Sequence, residues 1–87
     1  MKSYFITFRS ITYAQRGEQA FLRSGVKCHM RRTPRWMEER GCGYGVEVAL
    51  AELGDGLKLL RQQGIPWRKT WLLKSGGEVE EIRYDLS

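Results

Sequence analysis

Cys42 lies between two glycines in the stretch PRWMEERGCGYGVEV, residues 34–48, and is the side chain best placed for nucleophilic chemistry. Gly41 and Gly43 let the backbone take unusual angles there and leave the sulfur open to a second macromolecule, which a transfer reaction requires. Arg35 and Arg40 are close in sequence, and a guanidinium near a thiol favours the thiolate, the nucleophilic form. Glu38 and Glu39 act the other way if they face the sulfur. These residues alone leave two readings open: a reactive thiol, or a small residue at the start of a strand. Cys28 differs, because it alternates with Val26 and Met30 against Lys27, His29 and Arg31. That period of two places Cys28 on the apolar side of a strand as a small hydrophobe and His29 on the opposite, solvated side. Cys28, His29 and Cys42 are too few, and lack the paired spacing, for a zinc site, so no metal is expected.

These groups must be positioned by a short series of elements. YFITF (4–8) is rich in strand formers. Ser10-Ile-Thr12-Tyr-Ala-Gln15 offers a cap, with Thr12 and Gln15 at capping-box spacing, and a helix follows to about Ser24 with Gly25 as its stop. Its inward face is expected to hold Ala14, Gly17 and Phe21, together with Ile11. VKCHMRR (26–32) forms a strand ended by Thr33-Pro34, and YGVEVAL (44–50) forms another, with Val46, Val48 and Leu50 on one face and Glu47 on the other. Asp55 is expected to cap a second helix running to Gly64. PWRKTWLLK (66–74) and EVEEIRYDL (78–86) flank a hairpin turn at Ser75-Gly76-Gly77. The order β-α-β-β-α-β, plus one extra C-terminal strand, implies an α+β fold. The expected form is a ferredoxin-like split βαβ sandwich, an antiparallel sheet with two helices on one face.

The chain has 87 residues, read as a single domain over 1–87, and its core must be simple because small chains bury a smaller fraction of their surface. Hydrophobic residues at 41% and charged residues at 29% exclude a disordered tail. No apolar run reaches the ~20 residues of a membrane helix, and the first apolar stretch is too short for a signal peptide. A soluble cytoplasmic protein is therefore expected, with no membrane contact and both cysteines reduced. The net charge of +5 is uneven: Lys27, Arg31, Arg32, Arg35 and Arg40 cluster before Cys42, while Glu78, Glu80, Glu81 and Asp85 crowd the C-terminal stretch. The basic stretch suits an anion or an acidic partner.

From Tyr4 to about Gly64 the chain resembles the selenium/sulfur (Se/S) carrier protein-like family, formerly a domain of unknown function. The residues that carry the resemblance are YFITFRSITYAQRGEQAFLRSGVKCHMRRTPRWMEERGCGYGVEV. Within them, the pairs Pro34-Arg35 and Cys42-Gly43 at this separation are the most specific, and Ala14 and Glu18 keep the family's helix spacing. Members have small hydroxyl residues just before the cysteine, where this chain has Glu38-Glu39-Arg40-Gly41. The resemblance implies a carrier or relay protein rather than a stand-alone enzyme. Cys42 would hold sulfur or selenium as a persulfide or perselenide, and no cofactor would be needed. It also implies a donor such as a cysteine desulfurase or a selenium-metabolism protein, and an acceptor. Arg35 and Arg40 would stabilise the anionic forms and help dock the donor, with Gly41 and Gly43 giving access.

Two other classes stay open on the residues. RGCGYGVEV partly matches the third-strand motif of RNA-recognition sheets, with Arg40, Gly41, Gly43 and Tyr44 in place but Cys42 where a base-stacking aromatic belongs. A small RNA-binding domain could still use Lys27, His29, Arg31 and Arg32 on phosphates. An interaction subunit could use Trp36, Trp67 or Trp71 as an anchor. The oligomeric state is not legible.

Overall fold

Strands of alternating pattern with two amphipathic helices between them close into an α+β sandwich. A computed structural model describes residues 2–34, 36 and 43–83. In chain order the elements are β1 (Lys2–Thr7), α1 (Ile11–Arg23), β2 (Cys28–Arg32), β3 (Tyr44–Leu50), α2 (Leu53–Gln62), β4 (Thr70–Leu73) and β5 (Val79–Ile82). The strands form one sheet in the order β2-β3-β1-β4-β5, and every neighbouring pair is antiparallel.

β1 lies at the centre, and its burial explains its unbroken apolar sequence. Tyr4 and Ile6 face the helices, and Phe5 and Thr7 face the other way, yet all four are buried. On the helix side, Val46, Val48 and Leu50 of β3 meet Ala14, Ala20 and Phe21 of α1 and Leu53, Leu57 and Leu60 of α2. Val26, Cys28 and Met30 pack against the same core from the sheet's edge, while His29 and Arg31 point outward, as the period of two requires. Phe21 is fully buried. Phe21→Ala is expected to cost about 3–5 kcal/mol through lost transfer energy and a residual cavity. In urea this reads as a lower unfolding midpoint at unchanged slope.

Several boundaries differ from the sequence expectation. The cap of α1 is Ser10, whose Oγ accepts a hydrogen bond from Tyr13 N–H at 3.2 Å, rather than Thr12. Phe8 is buried just beyond β1, so the chain turns at once and Thr12 already lies in the first helical turn. Ile11 is 41% exposed, because the buried stripe runs through Ala14, Gly17, Ala20 and Phe21 and leaves it at the margin. α2 starts at Leu53, which is buried, with Glu52 at the cap position and no side-chain cap bond. Asp55 instead sits inside the first turn, where its charge favours the helix dipole. β1 starts and ends two residues and one residue earlier than YFITF, and β2 begins at Cys28.

The C-terminal hairpin forms where expected but with shorter strands. Gly76 and Gly77 both have positive φ, and Lys74 N–H donates to the Glu78 carbonyl to close the turn. Residues 66–69 stay outside β4, although Arg68 N–H bonds the Thr7 carbonyl and Thr7 N–H bonds the Lys69 carbonyl. Residues 84–86, expected in the last strand, lie outside the described residues.

Candidate functional site

The stretch that carries Cys42 is clamped at both ends by one backbone pairing. Thr33 N–H donates to the Gly43 carbonyl at 2.7 Å, just beyond the Arg32–Tyr44 pair that ends the β2–β3 ladder. Gly43 has φ 75°, a left-handed conformation that a side chain disfavours, so glycine is required where the chain rejoins the sheet. Thr33 and Gly43, the two flanks of the stretch, thus meet at a single point. Arg35, Arg40, Gly41 and Cys42 lie outside the described residues; of the expected site, the structure places Gly43 and both flanks of the loop.

Trp36 shows where the departing flank goes. Its ring meets Trp71 edge-on, with centroids 5.7 Å apart and an interplanar angle of 85°. Trp71 pairs with Phe5 in the middle of the helix-free face, so the chain after β2 turns back across that face. Phe5 and Trp71 are buried there, while Trp36 is 64% exposed. A groove of about 560 Å³ opens beside it, between Pro34 and Trp36 on one wall and Leu73 and Val79 on the other, with Phe5 on its floor. Of the three tryptophans raised as interface anchors, only Trp36 has an open ring; Trp71 is buried and Trp67 packs partly against the main core.

The basic run before the loop is partly spoken for. Arg31 Nη1 lies 2.5 Å from Glu47 Oε1, and His29 Nε2 is 4.0 Å from the same oxygen. Arg32 lies over the Tyr44 ring at 5.6 Å. Among the described residues no group of three or more His, Cys, Asp or Glu could hold a metal ion, and no helix is long and apolar enough to cross a membrane.

Cys28 sits where the alternation predicts, and its surroundings suppress its chemistry. Its Sγ lies 3.5 Å from the Glu18 carbonyl, to which the thiol donates, and burial, with the Glu18 carboxylate adding to it, pushes the thiol up to about 11. The same carboxylate accepts the Met30 N–H at 2.9 Å and so ties the outer edge of β2 to α1. In the sequence Glu18 stands out only by its spacing from Ala14; its role depends on which strand the helix crosses. Because the folded thiol holds its proton more tightly than an unfolded one, its contribution to stability is complete below about pH 9 and is lost as pH climbs through about 11. Iodoacetamide at pH 8 is therefore expected to leave Cys28 unmodified in the folded chain and to alkylate it once urea unfolds the domain. Rapid labelling of Cys28 in the native protein would contradict this.

A protein-family model described as "Putative Se/S carrier protein-like" matches residues 3–72. The chain belongs to this family. The match runs from β1 to Leu72 of β4 and takes in the whole Cys42 loop with both its anchors; β5 lies beyond it. No curated protein and no solved structure matches the chain.

Proposed function

We propose that this Se/S carrier-like protein holds a sulfur or selenium atom on Cys42 and relays it from a donor enzyme to an acceptor. The observation that carries the reading is the family match across the loop that Thr33 and Gly43 clamp, with Cys42 as its last residue before the clamp. The other thiol, Cys28, is held protonated against α1 and has no part in it. In the loading step the Cys42 thiolate attacks the terminal sulfur of a donor persulfide. A new S–S bond forms, the donor's S–S bond breaks, and the donor cysteine departs as a thiolate. An acceptor nucleophile then attacks the outer sulfur of Cys42-S-SH and releases the Cys42 thiolate. Selenium follows the same course as Cys42-S-SeH. Neither step changes the total electron count, so no cofactor, oxidant or reductant is consumed.

Arg35 and Arg40 favour the anionic forms of both thiol and persulfide, and Gly41 and Gly43 keep the sulfur approachable. The chemistry suits a reducing cytoplasmic setting, where Cys42 stays a thiol between turnovers. The ferredoxin-like reading of the fold rests on β3 lying between β1 and β2, which α1 connects, with β4 on the far side of β1 and β5 as an added edge. Incubation with a cysteine desulfurase and cysteine, followed by mass spectrometry of the intact and digested chain, tests the relay. The expected product carries one added sulfur on the peptide containing Cys42; a chain that takes up no sulfur or selenium from any persulfide donor is not a carrier.

A further inference from the structure

We propose that the sheet end from which the Cys42 loop departs is the docking surface for an acidic face of the partner protein. This rests on the carrier reading for the partner's purpose. The strand register gathers cations there from separate segments. Arg31 lies beside Gly45, which lies beside Thr7. Thr7 in turn exchanges backbone bonds with Arg68 and Lys69. Thr70 pairs with Ile82, so Arg83 follows next to Lys69, while Arg32 pairs with Tyr44 and Arg9 comes two residues after the end of β1. Glu47, two rows further in, neutralises Arg31, and among the described residues no Asp or Glu stands in these last rows. The opposite end is mixed, with Lys2, Lys27 and Lys74 beside Glu52 and Glu78. In the sequence outside the described residues, Arg35 and Arg40 offset Glu38 and Glu39, and Asp85 adds one negative charge.

A positive potential at the point where the loop is anchored raises the encounter rate with an acidic partner and orients it toward Cys42. An acidic protein surface fits better than single-stranded RNA. RNA of that kind needs several aromatic rings on which successive bases can stack, and on the helix-free face Phe5 and Trp71 are 4% and 8% exposed, which leaves Trp36 as the one exposed ring there among the described residues.

The test uses the full chain, a fluorescein-labelled poly-glutamate peptide and an oligouridylate of equal charge, read by anisotropy. One variant carries Arg9→Glu, Arg32→Glu and Arg83→Glu. A second carries Lys2→Glu, Lys27→Glu and Lys74→Glu, which changes net charge equally at the other end. Thermal melting confirms that both fold. The first variant is expected to bind the peptide roughly tenfold or more weakly, and the second to lose less than about threefold, with wild-type binding falling steeply as salt rises. Equal losses in the two variants, or no peptide binding by the wild type, overturn the proposal. Tighter binding of the oligouridylate than of the peptide replaces the acidic protein with a nucleic acid. Cys42→Ala separates this surface from the relay: peptide binding should persist, and if the wild type binds peptide but accepts no sulfur, the carrier reading fails and the surface stands.

Discussion

Cys42→Ala is expected to abolish the sulfur adduct completely and to leave the melting temperature nearly unchanged, whereas Cys28→Ala should do the reverse. The asymmetry follows from the two environments. Cys28 packs against the helix-side core, with its thiol on the Glu18 carbonyl and its proton held to about pH 11. Its replacement removes packed sulfur and should cost about 1 kcal/mol or somewhat more, within the usual range for trimming a partly buried side chain. Cys42 follows Gly41 and precedes the Thr33–Gly43 clamp, and the clamp is made of backbone groups that the substitution does not touch. Mass spectrometry after desulfurase treatment and a thermal melt of each variant make the comparison. An adduct that survives Cys42→Ala, or one that disappears in Cys28→Ala without loss of folding, would assign the chemistry to the wrong sulfur.

The second large effect is structural. Gly45, on the first turnward rows of β3, lies directly under the Phe5 ring: a Cβ there would stand 2.5 Å from Phe5 Cζ and 2.7 Å from the Ile6 carbonyl oxygen. The ring could rotate away, but the carbonyl belongs to the central strand and cannot move without disturbing both neighbouring ladders. Gly45→Ala should therefore destabilise by about 2–3 kcal/mol, at the upper part of the overpacking range. For a domain of this size that is a fall in melting temperature of roughly 10–20 °C. Adding Phe5→Leu should recover only part of the loss, since it relieves the ring contact and leaves the carbonyl contact in place. A melting temperature within a degree or two of wild type would mean that β1 and β3 do not approach as closely as described. The same crowding bears on function, because Phe5 floors the groove beside Trp36.

What could be read from the sequence was whatever repeats locally. Strand side chains alternate by covalent geometry, so Val46, Val48 and Leu50 against Glu47, and Cys28 and Met30 against His29 and Arg31, specified both strands and the faces they bury before any partner was known. The same logic separated the two thiols, since one lies inside an alternating stretch and the other between glycines. Helix starts were less legible. Ser10 and Thr12 both have the chemistry of a cap for α1, as Asp55 has for α2, and the burial of Phe8 and Leu53, a tertiary matter, decided where each helix begins. Contacts between distant segments were not legible at all. Trp36 meets Trp71 only because the chain folds back over the helix-free face, and Glu18 reaches Met30 N–H only because α1 crosses β2. Arg9, Arg32, Arg68, Lys69 and Arg83 share one end of the molecule because strand order and register bring it about. Sequence distance carries no information on that grouping, since each strand's alternation says which face a residue takes but not which neighbour it will meet.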